Sequence, residues 1–134
     1  MSLNYLLDTS CLIWFQENSP KIPKKVMDII QDTENNIFFS QISLFEIAIK
    51  QKIGKLPLFV STVDEVYHQA IKDDFVFMQL QNRHLSCYDK VPLYEIHRDP
   101  FDRLLISTAF EEKLIVLTSD QNFKLYTDII NVFW

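Results

Sequence analysis

At 134 residues, 48% hydrophobic and 13% aromatic, the chain has the length of one ordinary domain and enough apolar material for a substantial core, which excludes a disordered chain. Its net charge of −5 argues against broad, sequence-independent adhesion to nucleic acid, which depends on surplus Lys and Arg, but not against a nuclease whose metal-binding carboxylates make it acidic. The single glycine, Gly54, excludes the GxxxxGK[ST] phosphate loop, the GxGxxG dinucleotide turn and the GxSxG nucleophile elbow, all of which use more than one.

Asn4–Leu7 is a short apolar run that reads as a buried strand, with Asp8 at its carboxyl end. A short helix is expected from the Asp8-Thr9-Ser10 turn through Phe15, which puts Asp8 in the place of an N-cap. A carboxylate buried beside a central strand is costly unless partnered, so Asp8 needs a partner. After a loop at Ser19-Pro20, residues 23–30 read as a helix, with Val26, Ile29 and Ile30 on one face and Lys24, Lys25 and Asp28 outside. Glu34-Asn35-Asn36 is a turn, and residues 37–40 a second strand.

Residues 43–53 read as a helix with clear punctuation. Ser43-Leu44-Phe45-Glu46 matches a capping box, Lys50 and Lys52 suit the negative end of the helix dipole, and Gly54 supplies a left-handed stop. Glu46 thus has a capping explanation of its own. A loop broken by Pro57 leads to a helix over 63–72, with Val63, Val66, Tyr67, Ala70 and Ile71 inward. Residues 75–80 read as a strand, and 84–94 as irregular, with a short helix ending before Pro92.

His97-Arg98-Asp99-Pro100-Phe101-Asp102-Arg103 then delivers acidic residues to the first turn of a mostly apolar helix that runs to Lys113. Pro100 suits the helix entry, Asp99 the N-cap, and Asp102 the three-residue offset of a capping box. Residues 114–117 form an apolar strand followed at once by Thr118-Ser119-Asp120, so Asp120 stands just past a strand end, as Asp8 does. Residues 121–126 read as a short helix or loop and 129–134 as a last strand.

Cys11 and Cys87 give neither a disulfide framework nor a zinc spacing, which fits a reducing cytoplasm, and His68 and His84 are not assigned to metal. No apolar run has the length of a membrane span, and the first residues lack the pattern of a secretory signal.

Strands alternating with helices predict an α/β fold of three layers, with a central parallel sheet of about five strands. Right-handed crossovers put every strand-to-helix turn at one edge, where such sheets bind ligands. Asp8, Asp102 and Asp120 converge there. Glu46, one turn into the helix after the second strand, can point the same way. Carboxylates so placed raise one another's pKa, and a hard divalent cation relieves the repulsion. Oxygen ligands without His or Cys suit magnesium or manganese. Such an ion lowers the pKa of bound water and clamps a phosphodiester oxygen, which is the minimum equipment for hydrolysing a nucleic-acid backbone.

In this order, Asp8-Thr9-Ser10, Ser43-Leu44-Phe45-Glu46-Ile47-Ala48, the run from His97 to Ala109, and Leu117-Thr118-Ser119-Asp120-Gln121-Asn122-Phe123 resemble a PIN domain. More narrowly they resemble the VapC-type ribonuclease toxins of bacterial and archaeal toxin–antitoxin pairs. The resemblance spans Asn4 to Trp134. It implies a single PIN-like domain over residues 1–134 that cleaves RNA with Mg2+ or Mn2+. Carried over by position, Asp8, Glu46, Asp102 and Asp120 match the family's acidic quartet. Asp8, Asp102 and Asp120 are then the expected metal ligands, with Glu46 a ligand or water-orienting base. Asp99 matches the motif's upstream acid, as a cap or a support behind the ligands. Arg98 and Arg103 are candidates for pairing a carboxylate or holding a phosphate, and Thr9 and Ser119 for orienting water or ligands.

Family members commonly form homodimers and are silenced by a small antitoxin whose tail enters the acidic site. Trp14, Phe15 and residues 63–71 are the apolar surface expected to serve the dimer. Two further readings are weighed against the nuclease. One is a non-catalytic PIN-like module that binds RNA or protein. The other is a phospho-receiver domain, which wants paired acids after the first strand and a lysine after the last; here Asp8 stands alone, and no lysine lies between Leu117 and Asn122.

Overall fold

Five parallel strands form one sheet in the computed structural model, which describes residues 3–134. Met1 and Ser2, part of the expected 1–134 span, lie outside the described residues. The strands are β1 (Asn4–Leu7), β2 (Asn36–Ser40), β3 (Val76–Met78), β4 (Ile115–Leu117) and β5 (Asn131–Phe133), in the spatial order β3-β2-β1-β4-β5. β1 is central: Tyr5 stands opposite Ile37 on one side and Ile115 on the other.

The α-helices are α1 (Thr9–Gln16), α2 (Lys24–Gln31), α3 (Gln41–Lys52), α4 (Val63–Lys72), α5 (Asn82–Ser86) and α6 (Pro100–Glu112), with 3-10 turns at Cys87–Lys90 and Gln121–Tyr126. No helix among the described residues is long and apolar enough to cross a membrane.

The alternation of side chains along a strand builds two cores. Tyr5 and Leu7 face one side, with Leu12 of α1, Val26 and Ile30 of α2, and Val66 and Ala70 of α4. Leu6 and Val116 face the other, with Leu105, Ile106 and Ala109 of α6 and with Phe123 and Tyr126. Burying an aliphatic side chain of this size stabilises by roughly 1.5–3 kcal/mol, and Leu6, Leu7, Val116 and Leu117 are all at 0% exposure. The ends of β1 and β4 are therefore the most firmly held part of the sheet, and both lead into acidic residues.

The order of the strands places a reversal between β1 and β4. From β1 the chain winds outward through β2 to β3; it then returns to the other side for β4 and β5. In open parallel sheets the crevice outside such a reversal, at the carboxyl ends, is where ligands bind. This order also differs from the 2-1-3-4-5 order of receiver domains.

Three expectations are corrected by the packing. The capping box Ser43–Glu46 does not form, because β2 runs straight into α3 with Ser40 as the N-cap, its hydroxyl accepting from the Ile42 amide. Ser43 is thus inside the helix, and Glu46 is freed from capping. Ile71 of α4 points outward, at 42% exposure. Trp14 and Phe15 are half-buried rather than free: Trp14 packs on Trp134, with ring centroids 5.9 Å apart, and Phe15 on Phe75 at 5.0 Å. Each partner lies far along the chain, so the contact leaves no local pattern.

Candidate active site

Asp8 follows β1 directly. Its amide donates to the Leu117 carbonyl of β4 at 3.2 Å, and its Oδ1 accepts from the Cys11 amide at 2.7 Å, so it caps α1. Two turns of chain thereby lock the carboxylate at the sheet edge. It is buried, and burial pushes its pKa up to about 7; hydrogen bonds from Thr118 and Cys11 oppose the rise, and the charges of Asp102 and Asp120 add to it.

Asp120 reaches the same edge from β4. Its amide donates to Thr118 Oγ1 at 3.0 Å, and its Oδ1 accepts from the Asn122 amide at 2.9 Å, capping the 3-10 turn. Thr118 thus stands between the two acids: its hydroxyl accepts from the Asp120 amide, and its side chain favours the ionised form of Asp8. Ser119, to which the sequence pointed in this turn, is its neighbour. Thr9 donates to Ser43 Oγ at 2.9 Å and so ties α1 to α3.

Asp102 arrives from the first turn of α6. Asp99 caps this helix alone, its Oδ1 accepting from the Phe101 and Asp102 amides at 2.9 and 3.0 Å. Asp102 does not return the capping bond. Its Oδ2 lies 3.1 Å from His97 Nε2 instead. Burial raises its pKa to about 6, the His97 bond opposes this, and Asp99, Glu46 and Asp120 raise it further.

Glu46 comes from the second turn of α3 and is only 5% exposed. One oxygen, Oε2, pairs with Lys50 Nζ at 2.8 Å, one helical turn on. The other, Oε1, is buried with no hydrogen-bond partner. A buried acceptor left unsatisfied costs roughly 1–3 kcal/mol, so it marks a place where a cation or donor is wanted. Burial pulls the Lys50 pKa down, but Glu46, Asp99 and Asp102 more than offset it and hold the ammonium protonated.

At the sheet reversal Asp8 thus feels the charges of Asp102 and Asp120, and Asp102 those of Asp120 and Glu46. Arg98 and Asp99 are exposed, and the charge of Asp99 reaches Asp102. Arg103 is not part of this group. The guanidinium is buried and donates to the carbonyls of Val91 and Pro92 and the hydroxyl of Tyr88, so it pairs with no carboxylate and anchors the loop before α6. Sequence reasoning passed over His97, Thr118 and Lys50. A lysine four residues after a helical glutamate was the one local signal available.

As the side chains stand, no group of three or more His, Cys, Asp or Glu among the described residues closes on a common point that holds an ion. The donor set still fits a hard divalent cation: carboxylate oxygens, one of them orphaned, with the Asp8 and Asp102 carboxyls pushed toward neutrality by burial and by neighbouring acids. Two cavities lie outside the acids themselves. One, about 550 Å³, is at the opposite edge between Leu114, Ile115 and Asn131; the other, about 530 Å³, is an apolar groove on α3 and α6 beside the acids.

Comparison with known proteins agrees with this fold. No curated protein sequence matches the chain. The structure is similar to a chain in the VapBC2 complex of Rickettsia felis bound to a promoter DNA fragment, with a TM-score of 0.69 at 15% identity over 98% of both chains. It is similar to one in the DNA-bound VapBC complex of Salmonella typhimurium, at 0.67 and 17% over 98% of this chain and 97% of that one. FitAcB of Neisseria gonorrhoeae follows at 0.60 and 19%, over 100% and 97%. The PIN domain profile matches residues 5–128, from the middle of β1 past the 3-10 turn that Asp120 caps. With the strand order, the acidic edge and that match in agreement, the chain belongs to the PIN domain family.

Proposed function

We propose that this protein is a metal-dependent endoribonuclease of the VapC type, acting as one domain in the cytoplasm. The observation that carries the reading is a set of carboxyls held at a buried edge: burial, with neighbouring acids adding to it, pushes Asp8 up to about 7 and Asp102 to about 6, while Glu46 Oε1 is buried without a partner. A fold that keeps carboxyls at its ligand-binding edge, with the ionisation of Asp8 and Asp102 opposed by burial, keeps them for a cation.

Asp8, Asp102 and Asp120 are the proposed ligands of Mg2+ or Mn2+, with Glu46 a further ligand or the group that orients water. A cation held there supplies an acidified water and a clamp for a phosphodiester oxygen. The chain does the rest. Thr118 holds the Asp120 amide and favours ionised Asp8, Thr9 and Ser43 fix α1 against α3, and Asp99 sets where α6 begins. Arg98, exposed and next in sequence to Asp99, is a candidate for gripping substrate phosphate.

The similar structures are complexes of VapB with VapC, which supports a small antitoxin as partner. We propose a homodimer as well, with a different surface from the one the sequence suggested. Phe45 is 60% exposed, packs edge-on against Phe101 at 5.8 Å, and shares an apolar groove with Ile42, Leu80 and Leu104.

The test is a cleavage assay on RNA with Mg2+ or Mn2+. RNA loss that stops with chelator and falls at least about a hundredfold in Asp102→Asn is expected. Equal loss in every sample marks a contaminant and removes the support. No loss in any sample favours the non-catalytic module.

A further inference from the structure

His97 lies in the loop before α6 at 4% exposure, and both of its ring nitrogens are engaged. Nε2 is 3.1 Å from Asp102 Oδ2, and Nδ1 is 2.8 Å from the Tyr126 hydroxyl. Tyr126 is itself buried, at 1% exposure, and its oxygen takes a longer contact, 3.4 Å, from Arg103 Nη1. The donor directions follow from the acid end. An ionised carboxylate only accepts, so Nε2 carries a proton and donates to Asp102. In the neutral ring Nδ1 is then bare and accepts from the Tyr126 hydroxyl, whose other near acceptor, the His97 carbonyl, lies farther off at 3.5 Å. The Tyr126 oxygen in turn accepts from the Arg103 guanidinium.

The geometry points to His97 as a positioning residue for Asp102: Nε2–H fixes Oδ2 and leaves Oδ1 as the oxygen presented to the acidic pocket. This rests on the metal reading above. The ring is well held for the purpose, packed edge-on against Tyr126 at 5.5 Å and beside Phe123 at 6.3 Å. The capping bonds of Asp99 occupy the first amides of α6, so no helix group competes for the carboxylate of Asp102. Without His97, that carboxylate is free to turn toward the Lys50 ammonium, which already feels its charge. Groups that orient a metal ligand in this way typically govern affinity by 10–100-fold, roughly. A histidine present only for packing needs neither nitrogen near an acid.

Two measurements test this. Long-range 1H–15N spectra of the metal-free wild type are expected to show His97 protonated on Nε2 and bare on Nδ1. Mn2+ titration followed by electron paramagnetic resonance is expected to show affinity about 10–100-fold weaker in His97→Phe. His97→Gln, whose amide N–H can reach Oδ2, is expected to recover most of the loss. The Nδ1-protonated tautomer overturns the role, and this readout needs no variant to fold. Unchanged affinity in a folded His97→Phe overturns it too, as does a His97→Gln no better than His97→Phe. A wild type that takes up no Mn2+ overturns the metal reading itself, and the role of His97 falls with it.

Discussion

Asp8 has two duties that oppose each other. As the cap of α1 it serves best ionised, accepting from the Cys11 amide; as a buried neighbour of Asp102 and Asp120 it is driven toward its protonated form. The consequence for stability has a definite sign. Asp8 and Asp102 both have folded pKa values above the ordinary 3.8, at about 7 and about 6. Between these limits the folded chain holds protons that the unfolded chain releases, so stability is present at the acid end and lost as pH rises through the folded values. The thermal midpoint of chelator-treated protein is therefore expected to fall between roughly pH 5 and pH 8, and added Mn2+ to cancel the fall. A midpoint that rises over that range without metal contradicts the raised values of Asp8 and Asp102. At this scale the sequence reads well where a residue serves its own helix: Asp8 and Asp99 are recognisable as caps because the cap and its amide are neighbours. It reads poorly where partners are distant. His97 meets Tyr126 across 29 positions, and Arg103 finds the Val91 and Pro92 carbonyls, so neither role leaves a local pattern.

Helix α3 shows how a start shifted by three residues changes a side chain's meaning. With Ser40 rather than Ser43 at the cap, Glu46 moves into the second turn and onto the buried face. The far end of α3 was readable from Gly54 alone. At φ 76° it turns the chain, its amide donating to Gln51 and that of Lys55 to Lys50. Helix α6 is fixed at both ends: by Asp99 at the start and by Glu112 at the finish, where Oε2 meets His84 Nε2 and Arg83 Nη2, both at 2.6 Å. His84 is at 0% exposure, and its Nδ1 already accepts from the Gln81 amide, so its remaining proton depends on Glu112. Burial pushes the Glu112 pKa up, but His84 and Arg83 pull it below the usual carboxylate range. Glu112→Ala is expected to cost about 1–3 kcal/mol by leaving that buried donor unsatisfied. The loss reads as a lower urea midpoint with unchanged slope. A midpoint within error of wild type shows that α5 and α6 are held by apolar contact alone.

For the molecule as a whole, the decisive feature is the sheet reversal between β1 and β4, because it brings residues 112 positions apart in sequence (120 − 8) to one crevice. The alternation of strands and helices made the parallel sheet readable, and with it the edge where the acids gather. The spatial order of strands was not readable, since many orders satisfy the same alternation. The outer surface was misjudged for a related reason: Trp134 and Phe75 cover Trp14 and Phe15, while Phe45 is left bare. Phe45→Glu places a charge on that bare face and is expected to convert a dimer to a monomer in light scattering at micromolar concentration, with the thermal midpoint little changed. A dimer that survives the substitution assigns the interface to another face. The account as a whole turns on whether the four carboxylates take up one divalent ion. A crystal structure grown with Mn2+, read from its anomalous signal, tests this most directly. The account predicts a peak bound by Asp8, Asp102 and Asp120, with Glu46 turned toward it; a pocket without a peak, in protein that cleaves RNA with Mn2+, contradicts it.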